Sequence, residues 1–436
     1  MNGRFAEAMS TTSVSSIAVI GTGYVGLTTG AYLAHLGHTV VCADVVPEKV
    51  ERLQRGELPI FEPGLEELVR EGTRTGRLSF VLGASNAVTS AEFVFLCVPT
   101  PQGEDGRADL SYVQAAANEI GPLLRPGSIV INKSTVPVGS ARVVERALRR
   151  SDVSVVSNPE FLREGSALHD CLHPDRIVIG CDDRLAADRV ATLFDALDAP
   201  VIITDPQAAE TIKYVSNAFL ATKISFINAV AAICDNVGAD VAEVVRGVGL
   251  DSRIGAKFLQ PGPGWGGSCF PKDTLALIGI AEESGYDFAL LKGVVEVNDE
   301  QYERVAAKIQ RMAGGMLRGR VVAVWGLTFK ANTDDQRESP ALHVIRRLLK
   351  KGAVVTAYDP TAEETIDGVE LASSPYTACQ DADVLAVLTE WPDFADLDLD
   401  KVAELMATPR MVDARNLFDP DRVRAAGLVY EGIGRR

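Results

Sequence analysis

Basic charge is scarce in this sequence: 43 lysines and arginines face 59 aspartates and glutamates, for a formal net charge of −16. A phosphate backbone needs a basic surface, so the balance argues against nucleic acid as a partner. A small anionic ligand stays open, because a few local donors can hold it and the global charge would only slow its approach. Long apolar runs are missing too. No stretch of about 18 apolar residues occurs, and no membrane partner is expected. Residues 1–16 carry a Ser/Thr run without an apolar core segment, so a disordered leader is expected there and not a secretory signal. The seven cysteines are scattered and odd in number, which fits a reducing cytoplasm better than a disulfide framework. The segment His169-Asp170-Cys171-Leu172-His173 lacks a second cluster to complete a ligand set, so no metal is expected.

What is present is a chain of 436 residues, long enough for two or three domains. The run Ser16-Ile17-Ala18-Val19-Ile20 has a buried-strand pattern and leads into Gly21-Thr22-Gly23-Tyr24-Val25-Gly26 ahead of a helical stretch. That placement between strand and helix is what a dinucleotide fingerprint requires. Gly21 permits the tight turn, Gly23 lets backbone approach a pyrophosphate, and Gly26 lets helix pack on strand. The next strand ends at Asp44, where an acid accepts hydrogen bonds from ribose hydroxyls and repels a 2′-phosphate, so NAD is favoured over NADP. Later strands over residues 93–98, 128–132 and 153–156 run into polar ends. In an open parallel sheet this would set Thr100, Thr135 and Glu160 around one crevice with the glycine turn.

From Glu210 to about Cys234 the sequence is helix-forming and mostly apolar, the pattern of a helix buried on several sides, between domains or against a second subunit. Lys213 and Asn217 lie four apart on one face of it. Residues 261–273, PGPGWGGSCFPKD, form a glycine-rich loop that should open a helix, with Pro271 near its first position. Cys269 then precedes a helix N-terminus, where the dipole and nearby lysines favour a thiolate. Taken alone, these residues fit a structural cysteine in a tight turn equally well. A second α/β pattern follows, with strands expected near 320–325, 353–358, 384–388 and 410–412. Its first turn has one glycine, Gly326, so it is a poor dinucleotide site but suits a smaller nucleotide. The fold class expected is therefore α/β: a Rossmann domain over 15–209, a central helical region over 210–312 and a Rossmann-like domain over 313–436.

Residues 264–273, together with 213–223 and 158–165, resemble three signatures of the UDP-glucose/GDP-mannose dehydrogenases, and the likeness runs from about Ile17 to Phe418. The residues after Lys213 are similar to the branch acting on UDP-glucose; the runner-up is the GDP-mannose branch. The resemblance implies that two NAD-dependent oxidations turn the sugar hydroxymethyl into a carboxylate. Asp273, with Lys213, would serve as base. Cys269 would trap the aldehyde and carry a thioester, Lys213 and Asn217 would steady the oxyanion, and Glu160, held by Thr135, would activate water. It further implies cofactor contacts for Gly21, Gly23, Tyr24, Val25, Gly26, Asp44, Lys49, Thr100, Thr135, Glu164 and Arg337. Substrate contacts are implied for Glu160, Phe161, Leu162, Glu164, Lys213, Asn217, Lys257, Phe258, Leu259 and Gly266. Lys330 and Arg415 would meet the uridine diphosphate, and Arg253 would reach a neighbouring subunit's substrate, so at least a homodimer is implied. A hydroxyacid dehydrogenase with one oxidation would share the first domain but needs no nucleophilic cysteine. A catalytically silent NAD-binding module would not retain all of these groups.

Overall fold

A computed structural model describes residues 14–101, 103 and 108–435, so most of the expected leader lies outside the described residues. The chain divides into two compact units, one ending at Val215 and the other beginning at Ser216.

In the first unit the strands are β1 (Ser16–Ile20), β2 (Thr39–Asp44), β3 (Leu78–Leu82), β4 (Phe93–Leu96), β5 (Ile129–Asn132), β6 (Ser154–Ser157), β7 (Ile177–Gly180) and β8 (Val201–Thr204). They form one sheet in the order β3-β2-β1-β4-β5-β6-β7-β8. The order reverses between β1 and β4, the switch point at which doubly wound sheets bind ligands. Ala18 sits opposite Val41 on one side and Val94 on the other. Strand residues alternate between two cores: Ile17 and Val19 join Leu27, Leu33 and Leu53 on one face, while Ala18 and Ile20 join Val113, Ile120 and Val144 on the other. Each fully buried aliphatic side chain contributes about 1.5–3 kcal/mol of transfer free energy, which is why the strands are apolar on both faces. One departure from the parallel expectation occurs at β6 and β7, which pair antiparallel at Ser157 and Gly180. Their connection holds only a six-residue helix, Ala167–Leu172, and lacks the long helical crossover that parallel neighbours need.

The second unit repeats the plan. Strands β9 (Val321–Trp325), β10 (Val354–Tyr358), β11 (Val369–Leu371), β12 (Val384–Val387), β13 (Arg410–Asp413) and β14 (Val429–Gly432) form a parallel sheet in the order β11-β10-β9-β12-β13-β14. Val322 and Val324 face the helices Pro340–Lys350 and Ala289–Met312, while Ala323 and Trp325 face Phe394, Val402 and Val423. Asp359 follows β10 as Asp44 ends β2. Its Oδ2 accepts from the Leu327 and Thr328 N–H groups at 2.8 and 3.2 Å and from Trp391 Nε1 at 3.1 Å. Asp44 Oδ2 is engaged by its own turn in a similar way, by the Thr22 N–H and hydroxyl and by Lys49.

The expected long helix spans Pro206–Val237. The expectation that no segment is long and apolar enough for a membrane needs correcting here, because by length and composition alone this helix is. Two of its interior polar atoms have protein partners, as in a core helix: Ser225 Oγ donates to the Val294 carbonyl at 2.8 Å, and Asn228 Oδ1 accepts from the Gly262 N–H at 2.8 Å. Phe219, Phe226 and Ile233 recur every seven residues along it and are each about 60% exposed.

Candidate active site

The glycine turn comes first. Gly21 has φ 96°, a conformation that disfavours any side chain, and a Cβ on Gly26 would fall 1.9 Å from the Gly21 carbonyl oxygen. Around Gly23 a Cβ would meet nothing within 4 Å, and the helix Tyr24–His35 begins there with no side chain capping its N–H groups. An open approach to uncapped N–H groups is what a pyrophosphate needs, so the residues fit a dinucleotide. Asp44 Oδ2 accepts from the Thr22 N–H at 2.9 Å and the Thr22 hydroxyl at 2.6 Å and pairs with Lys49 Nζ at 3.1 Å; Oδ1 takes the Val46 N–H at 3.1 Å. Burial raises this carboxyl, but Thr22, Val46 and Lys49 outweigh it and hold the group below its ordinary range. Lys49 is placed on Asp44.

Tyr24 reaches further than its place in the turn suggests. Its hydroxyl donates to Glu62, and the Gly165 N–H donates to both, at 2.8 Å to Tyr24 and 2.7 Å to Glu62 Oε2. The Leu168 N–H adds a bond of 3.3 Å to Glu62 Oε1. This braces the glycine turn against the loop carrying Phe161, Leu162 and Glu164. Arg176 lies 3.8 Å over the Phe161 ring.

Glu160 and Lys213 form the most buried ion pair of this unit's candidate groups, with Nζ 2.7 Å from Oε1 and side chains 6% and 3% exposed. Oε2 accepts from the Leu162 N–H at 2.7 Å. Burial alone would raise the Glu160 carboxyl; Lys213, the Leu162 N–H and Lys133 together hold it low. The grip expected of Thr135 on Glu160 is thus supplied by Lys213 and Leu162, while the Thr135 carbonyl accepts from the Thr100 hydroxyl at 2.8 Å.

Two groups here were not singled out from the sequence. Lys133 is buried and donates to Asn158 Oδ1 at 3.0 Å, and burial lowers its ammonium below the ordinary value. Glu210 accepts from the Gly139 N–H at 2.6 Å, the Ala141 N–H at 3.0 Å and the Ser157 hydroxyl at 2.9 Å. Lys133 follows an apolar strand, and Glu210 precedes Lys213 by three residues on one helix; those were the available signals.

In the second unit, Cys269 caps the helix Phe270–Glu283, with Pro271 in its first turn as expected. Of the seven cysteines it alone is not buried. Ser268 Oγ lies 3.6 Å from its sulfur. One turn on, the fully buried Asp273 takes Asn217 Nδ2 at 2.6 Å and Lys272 Nζ at 2.5 Å. The glycine loop is held from two helices: Trp265 Nε1 donates to Ser225 at 2.8 Å, and the Trp265 carbonyl accepts from Asn298 and Tyr302 at 2.9 and 2.8 Å. A Cβ on Gly266 would fall 1.9 Å from the Glu338 carbonyl oxygen, so glycine there answers a backbone approach within the protein.

The remaining expected residues are more dispersed. Arg253 and Arg337 are exposed and engaged by Asp251 at 2.6 Å and Asp335 at 2.7 Å. Lys257 is exposed, Phe258 has φ 65°, and Leu259 is buried. Arg415 donates to the carbonyls of Leu388 and Phe329 at 2.8 and 2.9 Å and pairs with Glu390. Lys330 stands 5.6 Å over the Phe329 ring. Among the described residues no three His, Cys, Asp or Glu side chains gather as a metal-binding group.

Three domain models of one family match the chain in order: the NAD binding domain at residues 15–198, the central domain at 207–300 and the UDP binding domain at 323–420. The chain belongs to the UDP-glucose/GDP-mannose dehydrogenase family. Its cofactor is NAD, in keeping with the glycine turn and Asp44. It is similar to the UDP-glucose 6-dehydrogenase of Rhizobium meliloti (strain 1021), 48% identical over 433 residues covering 96% of this chain and 99% of that one. The UDP-glucose 6-dehydrogenase TuaD of Bacillus subtilis (strain 168) is 46% identical and covers 97% and 94%. Among solved structures, a UDP-glucose dehydrogenase from the hyperthermophilic archaeon Pyrobaculum islandicum superposes with a TM-score of 0.90 at 41% identity, covering 98% and 99%.

Proposed function

We propose that this protein oxidises UDP-glucose to UDP-glucuronate in two steps, with Cys269 as the covalent catalyst. The observation that carries this is the lone accessible thiol, set at the N-terminus of the 14-residue helix Phe270–Glu283 at the end of a glycine loop. The relatives named above support the choice of sugar nucleotide. NAD, when bound by the turn at Gly21–Gly26 and by Asp44, supplies the hydride acceptor for both oxidations.

The chain's own groups do the rest. Asp273, held by Lys272 and Asn217, takes the proton of the C6 hydroxyl through a water. The Cys269 thiolate adds to the resulting aldehyde carbon, and the oxyanion so formed is steadied by Lys213 and Asn217, four residues apart on one helix. Loss of a second hydride leaves a thioester on Cys269. Glu160 removes a proton from water as it attacks the thioester carbon, and the thiolate departs with the carboxylic acid released. Phe161, Leu162, Lys257, Phe258, Leu259, Lys330 and Arg415 form the sugar and uridine diphosphate contacts in this reading, and Thr100, Thr135, Glu164 and Arg337 the outer cofactor contacts. Domains over 15–209, 210–312 and 313–436 carry these roles.

The heptad spacing of Phe219, Phe226 and Ile233 on an exposed helix face supports a homodimer, with Arg253 reaching the second copy. Reduced thiols support a cytoplasmic location, with neither nucleic acid nor membrane as partner. The test is NADH formed per mole of UDP-glucose, with GDP-mannose and UDP-N-acetylhexosamines as parallel substrates. About two equivalents from UDP-glucose are expected on the thioester route, and one equivalent refutes it. Preference for GDP-mannose refutes the substrate.

A further inference from the structure

We propose that the small pocket bounded by Asn132, Thr135, Ser157, Glu210 and Lys213 is a binding site for one ordered water, and that this water positions Lys213. The proposal rests on the reading that the Lys213–Glu160 pair serves the reaction.

Asn132 ends β5, is 2% exposed and lines the pocket, yet neither its amide nitrogen nor its amide oxygen has a hydrogen-bond partner. Leaving both atoms unbonded at a buried strand end is costly, and such groups are ordinarily met by protein or by water. The pocket has room for about one water molecule, the size class in which buried waters bridge polar walls. Its walls choose the ligand. Lys213 repels a cation and the Glu210 carboxylate repels an anion, so the occupant is neutral. Asn132 offers a donor and an acceptor together, so the occupant must both accept and donate. Water meets every condition.

The geometry around the pocket says what that water would do. Glu210 is fixed by the Gly139 and Ala141 N–H groups and the Ser157 hydroxyl, at 2.6, 3.0 and 2.9 Å. It stands three residues before Lys213, on the same helix face. A water accepting from Asn132 Nδ2 and donating to Asn132 Oδ1 and Glu210 lies beside Lys213, which lines the same pocket, and keeps a lone pair to accept from its ammonium. From there it fixes the long side chain so that Nζ stays 2.7 Å from Glu160 Oε1. Lys213 is a catalytic group in this account, and Asn132 and the water are its positioning elements.

A high-resolution crystal structure of the full chain tests the site directly. A single density peak within hydrogen-bond distance of both Asn132 amide atoms is expected, lost in Asn132→Leu, and a pocket without density in the wild-type protein overturns the proposal. Asn132→Leu should lower kcat about tenfold while KM for UDP-glucose stays nearly constant, because a bond supporting a charged group is lost. The acid limb of the pH profile should move upward as Lys213 loosens from Glu160. A dry amide predicts the opposite: Asn132→Leu would raise the melting temperature and leave kcat and the pH profile untouched. Should that variant fail to fold, Ser157→Ala opens the same wall and is expected to give the same kcat loss; unchanged kcat in it refutes the positioning role. Failure of the wild-type protein to oxidise UDP-glucose would overturn the activity and leave the density test of the water standing.

Discussion

Replacing Lys213 with methionine keeps the volume of its stem and removes its charge. The ammonium lies 2.7 Å from Glu160 Oε1, and both side chains are more than nine-tenths buried, so solvent screens the pair very little. Removing one partner strands a carboxylate in the interior, which costs about 3–5 kcal/mol. For a compact unit of about 200 residues that lowers the melting temperature by roughly 10 °C. The pH dependence carries more information than the size. In the wild-type protein Glu160 is held below its ordinary value near 4.5, so its contribution to stability is present above that value and fades as pH falls through the lower folded one. In Lys213→Met burial wins and the folded carboxyl titrates above 4.5, so the folded state binds the proton more tightly. Stability of the variant then falls as pH rises through and beyond 4.5, and the slope contributed by Glu160 changes sign. Urea midpoints measured at pH 4, 5, 6 and 7 (about one unit apart, enough to resolve a slope) read this directly. The double variant Lys213→Met/Glu160→Gln should regain most of the loss. A coupling of less than about 0.5 kcal/mol between the two substitutions would refute the reasoning.

Three further outcomes are expected. Cys269→Ser should form no more than one NADH equivalent per sugar and accumulate no thioester, and full two-step turnover by it would refute the covalent route. Gly266→Ala drives a methyl into the Glu338 carbonyl oxygen and should lower the melting temperature by several degrees, which thermal unfolding followed by circular dichroism checks; an unchanged midpoint would show that the two loops separate freely. Phe226→Lys places a charge in the exposed heptad stripe of the helix Pro206–Val237 and should convert a dimer to monomers in sedimentation velocity, whereas an unaltered assembly would put the interface elsewhere.

How far the sequence carries is set by the range of the interaction that fixes each feature. The glycine turn was legible because its requirements lie within six consecutive residues and depend on the absence of a side chain, which a sequence states outright. The same holds for Cys269 ahead of Pro271, since a proline marks the first turn of a helix without tertiary help. Strands β1, β4 and β5 announce themselves as apolar runs because both faces are covered. Strands β3, β8, β11 and β14 do not, whereas β7, apolar and fully buried, carries the same signal although it is not among the expected strands. Val201–Thr204 is largely exposed at a sheet edge, and Val369–Leu371 has only three residues, so neither carries a burial pattern to detect.

Partner choice was the illegible part, and the reason is loop closure. Tyr24 meets Glu62 across 38 residues and Gly165 across 141, and nothing local to any of them specifies the others. Glu210 illustrates the same point on the chemical side. As a sequence letter it is one more acid on a helix; only the fold brings Gly139, Ala141 and Ser157 to it and turns it into a buried anchor. Asp359 shows how far topology can recover such information. Aligned with the first glycine turn by its place between strands, the second matches the acid following β10 to Asp44 ending β2. Each accepts from the backbone N–H of the residue after the glycine, Leu327 after Gly326 and Thr22 after Gly21. What separates them is Trp391, whose indole N–H occupies Asp359 from a third strand's end. No pattern of spacing within the turn forecasts that bond. It follows that engagement of the acid by its own turn does not set the nucleotide preference, since Asp44 Oδ2 also carries three donors, and that the glycine count of the turn keeps its weight.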